Sequence, residues 1–405
     1  MNIACRLSSL VLFAVTGYGF LSCTSIKSES LLPRERVLIN DGWSFYKYDS
    51  PEKADGLIYD TRPAVEDDGD YLIADAEPTL AVEKEAAVEV LKPWVLPTAN
   101  NFIGDPAKHH ARPEGNPGGD FPFVQADFDE SGWKTVDLPH DWAISGPFYE
   151  GWDAEVGGGM GRLPLHGVAW YRKKLDIPMS DKDRSIFLDV GGAMSYAVVW
   201  LNGNLVGGWP YGYNSWRLDL TPHVQPGGMN QLAIRIDNPN HSSRWYPGAG
   251  IYRDVWLTKT DPVHVGQWGT YITARDISGS SAVLDLEVTL DNDSKADARV
   301  DIQTDIYELD EQGERKGGPV GRFPLSEISL NAGEKGVVKS STEVANPKLW
   351  GPRPTQTPHL YMAVTTLSRN GEVIDRYETR FGIRRLEMDP NQGVLVNGEL
   401  VKIKG

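Results

Sequence analysis

Cysteine is nearly missing from this sequence: Cys5 and Cys23 are its two thiols, both within the first two dozen of 405 residues. No disulfide framework and no thiolate metal site can therefore hold the body of the chain together. Basic charge is also in short supply, with 40 Lys and Arg against 56 Asp and Glu, a net charge of −16. No basic patch is segregated from this acidic background, so phosphate backbones are repelled and no nucleic-acid partner is expected. The sequence contains no G-x-S-x-G nucleophile elbow, no H-E-x-x-H zinc helix and no Walker loop. Gly157-Gly158-Gly159-Met160-Gly161 superficially resembles a phosphate loop but lacks the following Lys-Ser/Thr. Glu66-Asp67-Asp68-Gly69-Asp70 lacks the alternating ligands and distal Glu of a calcium loop. His109-His110, adjacent on an extended chain, point to opposite faces and do not share a metal. No metal and no cofactor is expected in this chain.

Long apolar runs are scarce too. Residues 7–20 form one such stretch, too short and too broken by Gly17 and Gly19 for a membrane span of about 20 residues. With Arg6 ahead of it and Leu21-Ser22-Cys23 behind, it reads as an export signal over residues 1–23. The small and apolar residues before Cys23 are similar to a bacterial lipoprotein processing site, with Cys23 as the lipid attachment point; an ordinary signal peptide is the alternative. The expectation is an exported chain in the periplasm or outer membrane, held to the membrane by a lipid anchor. Cys5 would leave with the signal.

What is abundant is turn chemistry and aromatic surface: 42 Gly, 27 Pro and 13 Trp. From residue 37 onward, short alternating apolar runs are bounded by Gly, Pro, Asn and Asp, the pattern of antiparallel strands and tight turns. Three Asn-Gly pairs, at Asn202-Gly203, Asn370-Gly371 and Asn397-Gly398, stand between strand-like flanks. Both central residues of a type I′ turn need positive φ, so each pair predicts a hairpin. Residues 60–89 carry ten acidic residues against Arg62 and Lys84, and read as a solvated excursion. The Pro- and Gly-rich residues 91–120 that follow look like an insertion looped out of the first β domain. After Asp261-Pro262, strands predicted at residues 283–290, 300–309, 336–341 and 359–367 fit an immunoglobulin-like sandwich of about 100 residues.

Four segments in order carry a family resemblance. They are Asp137-Leu138-Pro139-His140-Asp141-Trp142, Trp170-Tyr171-Arg172-Lys173-Lys174, Tyr211-Gly212-Tyr213-Asn214-Ser215-Trp216-Arg217-Leu218-Asp219-Leu220-Thr221-Pro222, and Ser243-Arg244-Trp245-Tyr246-Pro247-Gly248-Ala249-Gly250-Ile251-Tyr252-Arg253-Asp254-Val255-Trp256-Leu257. Near the end, Phe381-Gly382-Ile383-Arg384-Arg385 and the run from Leu395 look like a junction into a further domain. Together these resemble glycoside hydrolase family 2, and its β-galactosidase branch in particular.

The resemblance implies an all-β chain: a jelly-roll, galactose-binding-like sandwich over residues 24–260 with an insertion at about 51–120, then an immunoglobulin-like sandwich over 261–388. Residues 389–405 would begin the linker into a (β/α)₈ barrel. For the family it implies a retaining hydrolysis by two Glu on the barrel, one acid/base and one nucleophile, about 5 Å apart. A barrel needs about 250 residues, so both Glu are expected beyond Gly405 and this chain by itself is expected to be inactive. The resemblance allows a divalent or monovalent cation in the barrel and a homo-oligomeric assembly.

Within the chain, the resemblance implies that the loop at residues 240–250 lines the subsite for the terminal sugar of an oligosaccharide. Arg244, Trp245 and Tyr246 are the candidate substrate contacts, the guanidinium donating to hydroxyls and the rings stacking on a pyranose face. Some members place an Asp where Arg244 stands. His140, Asp141 and Trp142 read better as a loop-fixing turn, and Arg253 with Asp254 as an ion pair on a strand. Asp141, Asp153, Glu155, Asp219, Asp237 and Asp254 read as turn caps and strand-end bridges. Two other readings stand beside a galactosidase: a β-glucuronidase or β-mannosidase of the same family, and a non-catalytic carbohydrate-binding surface protein.

Overall fold

The computed structural model describes residues 32–50, 53–55, 105, 107, 115–146, 163, 166–238 and 248–403. Cys23, the acidic run at 66–70, His109, His110, Asp153, Glu155, the glycine run at 157–161, Arg244, Trp245 and Tyr246 lie outside the described residues. Among those described there is no α-helix, only strands and three short 3-10 turns; the fold is all-β, as the patterning predicts.

The first sandwich faces two antiparallel sheets. One runs β1 (Arg34–Leu38), β10 (Val255–Thr260), β5 (Ser185–Val190), β8 (Trp216–Asp219). The other runs β3 (Lys134–Val136), β2 (Trp43–Lys47), β4 (Gly167–Ile177), β9 (Gly228–Asn238), β6 (Ala197–Leu201), β7 (Asn204–Trp209). Because side chains alternate across a strand, Ala169, Tyr171, Leu175 and Ile177 of β4 and Leu232, Ile234 and Ile236 of β9 point inward. They meet Ile186, Leu188, Val190, Trp216, Leu218, Val255 and Leu257 from the facing sheet in one core.

The opposite face of the larger sheet is buried as well. Trp170, Val198, Trp200, Leu205 and Ala233 on that face pack with Val124, Phe121, Phe123 and Trp133. Burial on both faces explains why β4 opens with six consecutive buried residues instead of an alternation. The last part of the segment expected to loop out does not do so. Asn116 donates to the Gly203 carbonyl and accepts from the Leu205 amide, each at 2.8 Å, and the Trp200 indole donates to the Pro117 carbonyl at 3.0 Å. Two buried cations mark how closely this cover is fitted. Arg172 is bound by Glu130 and by the carbonyls of Phe123 and Gln125. Arg235 is bound by Asp55 at 2.9 Å and Asp237 at 3.4 Å, and Asp55 also accepts from the Trp170 indole.

The second sandwich pairs a sheet of β11 (Val263–Arg275), β12 (Ser281–Asn292) and β16 (Lys335–Ala345) with one of β14 (Arg315–Arg322), β13 (Ala298–Leu309), β17 (Tyr361–Arg369) and β18 (Glu372–Phe381), where β15 (Ser326–Leu330) also pairs with β13. In β12 buried and half-buried positions alternate without a break, so Ala282, Leu284, Leu286, Val288 and Leu290 enter the core with Val300, Ile302, Ile306, Phe323 and Leu367. A small sheet of β19 (Leu386–Asp389), β20 (Gly393–Val396) and β21 (Glu399–Leu400) follows. The three Asn-Gly pairs close the hairpins β6–β7, β17–β18 and β20–β21, with Asn202, Asn370 and Asn397 at φ 52°, 55° and 56° and their glycines at 76°, 81° and 83°.

A buried ion pair ties the two sandwiches together. Arg34 of β1 donates twice to Asp375 of β18, both at 2.8 Å, and once to the Val265 carbonyl of β11 at 2.7 Å. Asp375 also accepts from the amides of Val265 and Arg376, and the guanidinium lies 4.8 Å from the Tyr377 ring centroid.

Candidate functional site

The loop that carries Arg244, Trp245 and Tyr246 leaves β9 at Asn238 and the chain returns at Gly248. Its root is built from residues that the sequence places far apart. The Asn238 amide donates to the Gly248 carbonyl at 3.0 Å, closing the loop's two ends. One Asp141 carboxylate oxygen accepts from the Ala143 amide at 2.9 Å and from the Ala249 amide at 3.2 Å. The Trp142 amide donates to the Ala249 carbonyl and the His140 amide to the Ile251 carbonyl. The turn His140-Asp141-Trp142 thus clamps the returning strand, the loop-fixing role read from its sequence.

Gly250 is fixed from two further sides. It exchanges amide–carbonyl bonds with Met194, at 2.9 and 3.1 Å. Its φ is +108°, and a Cβ there would come within 2.4 Å of the Tyr171 hydroxyl and 2.7 Å of the His140 carbonyl, so only glycine fits. Tyr171 shares a 2.8 Å hydrogen bond with His140 Nδ1. Burial pushes the Tyr171 phenol far above its ordinary value. Burial also holds the His140 imidazole below its ordinary value, against the pull of Asp141 and with a small contribution from Lys134. A neutral imidazole and a protonated phenol make the stable pair. Ser195 completes the root, its hydroxyl donating to the Asp237 carbonyl at 3.0 Å.

These contacts hold a loop; they do not make an acid–base pair. Of the described motif carboxylates, Asp141 caps the root turn, Asp219 accepts from the Thr221 amide, and Asp237 meets Arg235. The ion pair expected between Arg253 and Asp254 is not formed. Both are exposed, Asp254 accepts from the Asn40 amide at 2.8 Å, and Arg253 lies over the Tyr252 ring instead. Arg253 sits in a bend and Asp254 ahead of the start of β10, so neither lies on the strand on which the pair is expected. Among the described residues no group of three or more His, Cys, Asp or Glu could hold a metal ion.

The galactose-binding domain-like model of glycosyl hydrolase 2 matches residues 160–246, which include β4 to β9, and the glycosyl hydrolases family 2 model matches 263–384, which include β11 to β18. The chain belongs to glycoside hydrolase family 2. It is 39% identical over 283 residues to the β-galactosidase BoGH2A of Bacteroides ovatus, covering 70% of this chain and 32% of that protein. It is 28% identical over 307 residues to a β-glucuronidase of Formosa agariphila, covering 69% of this chain and 29% of that protein. Among solved structures, a family 2 member from Bacteroides cellulosilyticus aligns with a TM-score of 0.62 and 31% identity, over 69% of this chain and 35% of the other. The β-glucuronidase of Bacteroides uniformis shares the fold over 92% of this chain and 35% of its own, with a TM-score of 0.62 at 23% identity. The chain therefore spans about a third of the length of the family 2 proteins it matches.

Several residues that build the root of this family 2 loop carry no sign of that role in the sequence. Tyr171 lies between Trp170 and Arg172 in the second family motif, with nothing local to distinguish it from a core aromatic. Met194, Ser195 and Asn238 carry no local signal, since each acts through a partner brought near only by sheet pairing.

Proposed function

We propose that this chain is the N-terminal, non-catalytic portion of an exported retaining β-galactosidase that hydrolyses terminal β-galactosides of oligosaccharides. The observation that carries this reading is the 39% identity over 283 residues to the Bacteroides ovatus β-galactosidase, confined to 32% of that protein. Consistent with it, the described carboxylates of the motifs serve as caps and ion-pair partners, while the root at Asp141, Asn238 and Gly250 is suited to holding a sugar-contacting loop with Arg244, Trp245 and Tyr246. The acid/base and nucleophile Glu would then lie beyond Gly405. Expression of this chain and of a polypeptide extended past Gly405 tests the reading with chromogenic substrates. The chain alone should be inert and the extended form should turn over a β-galactoside; robust turnover by the chain alone would overturn it. Turnover of a β-glucuronide in preference would move the assignment to the second reading, which the 28% identity to the Formosa agariphila β-glucuronidase favours.

Export belongs to the same proposal. Arg6, the apolar residues 7–20 and Cys23 would direct the chain to the periplasmic side or outer membrane and anchor it by lipid. In a bacterial host, labelled palmitate should enter the wild-type chain and not the Cys23→Ser variant; equal labelling of both would refute the anchor.

A further inference from the structure

Beside the loop root lie three tyrosines, Tyr211, Tyr213 and Tyr252, the last of them in contact with the Arg253 guanidinium. The turn between β7 and β8 carries Tyr211, Gly212 and Tyr213, with the two rings set edge to face, centroids 5.5 Å apart. The Tyr252 hydroxyl donates to the Gly212 carbonyl at 2.5 Å, which fastens this turn to the chain returning from the 239–247 loop. A Cβ at Gly212 would come within 2.1 Å of Met194 Sδ and would have to displace that side chain. Met194 in turn is bridged to Gly250, so the tyrosine turn is seated directly on the loop root. The Arg253 guanidinium lies 5.6 Å from the Tyr252 ring centroid. Burial raises the Tyr252 phenol, Arg253 opposes that shift, and Tyr213 and Tyr211 add to it, which fits four groups within electrostatic reach of one another.

Two features leave this cluster unsatisfied. Tyr211 is 58% exposed, so its ring is open to a ligand while its turn is held in place. Arg253 is exposed and makes no hydrogen bond or ion pair among the described residues, while its neighbour Asp254 is turned to Asn40. A wholly apolar ligand would strip water from the guanidinium without replacing its hydrogen bonds. A phosphate or nucleic acid would meet Asp254 and a chain of net charge −16. A neutral, hydroxyl-rich ring fits both parts: its C–H face lies on a phenol ring and adjacent hydroxyls accept from the planar fork of an arginine.

We propose that Tyr211, Tyr213 and Arg253 form a pyranose-binding subsite, in which one sugar unit of the glycan stacks on Tyr211 and is held through its hydroxyls by Arg253. The subsite deepens the reading of this chain as the non-catalytic portion of a β-galactosidase and rests on that reading for its role. Binding can be measured on the 405-residue chain itself. The Trp209 indole donates to Asn214 at 3.2 Å within the same turn, so its indole N–H resonance reports on the site while a β-galactosyl disaccharide is titrated in. The resonance should shift saturably. Tyr211→Ala should weaken binding by about 3- to 10-fold, the range expected for losing one aromatic stacking partner. Tyr211→Phe, which keeps the ring, should bind nearly as wild type, and Arg253→Lys should bind more weakly than wild type because the bidentate fork is lost. A melting temperature unchanged in Tyr211→Ala separates lost binding from lost folding. No saturable shift in the wild type, or equal affinity in Tyr211→Ala, would overturn the subsite. Hydrolysis by an extended polypeptide with no binding here would reject this subsite alone, whereas binding here with no galactosidase turnover would reject the proposed activity alone.

Discussion

Asp375→Ala is expected to loosen the junction of the two sandwiches more than any exposed charge change could. The Asp375 side chain is fully buried and that of Arg34 is 12% exposed, so solvent screens their pairing little. Removing the carboxylate deletes two bonds from Arg34 and one each from the Val265 and Arg376 amides. It leaves the guanidinium with the Val265 carbonyl and the Tyr377 ring. Breaking a buried ion pair on one side costs about 3–5 kcal/mol, because the remaining charge stays desolvated. That corresponds to roughly two to four orders of magnitude in the folding equilibrium. Urea unfolding should be followed by tryptophan fluorescence, which is dominated by the first sandwich, and by circular dichroism, which reports both. The variant should unfold at lower urea, and its two probes should separate as the sandwiches lose their coupling. In the double variant Arg34→Ala/Asp375→Ala the loss should fall short of the sum of the singles by about 1–3 kcal/mol. A loss under about 1 kcal/mol for Asp375→Ala, or strictly additive singles, would refute the claim that this pair fastens the junction.

Gly250→Ala should destabilise the chain by more than about 1 kcal/mol, since the new methyl would meet the Tyr171 hydroxyl and the His140 carbonyl at a φ of +108°; a thermal melt within a degree of wild type would contradict this. The pH dependence follows from His140 and His264, both held below the ordinary imidazole value chiefly by burial. A folded-state pKa below the unfolded value means that the unfolded chain binds more protons. Stability from these groups is therefore full above about pH 6.5 and is lost as pH falls toward the folded values. Asp293, pushed up by burial, works in the opposite sense at the acid end of that window. Urea midpoints measured from pH 7.5 to 5 should fall for wild type and fall less for His264→Gln; a flat wild-type profile would remove the argument.

How legible was this protein in its residues? The hairpins were, because a type I′ turn demands positive φ at two successive positions and Asn-Gly meets that demand locally. The alternation of β12 was equally plain, since one face of that sheet meets a core and the other meets water. The all-β class and the family followed from such local signals taken in order. The loop root was half legible: His140, Asp141 and Trp142 read as a clamp, but what they clamp, and that Tyr171, Met194 and Gly250 complete it, did not.

Local sequence determined strand, turn and the order of motifs, because those depend on residues within a few positions of each other. Only the tertiary structure decided which charges are buried and what covers the larger sheet. Arg172 and Arg235 would pass for solvated strand residues by pattern, yet each is buried against groups that lie 42 and 180 positions away in the chain, Glu130 and Asp55 respectively. A guanidinium can leave water only where its hydrogen bonds are replaced, and that replacement is a property of the assembled sheets and of no single stretch of sequence.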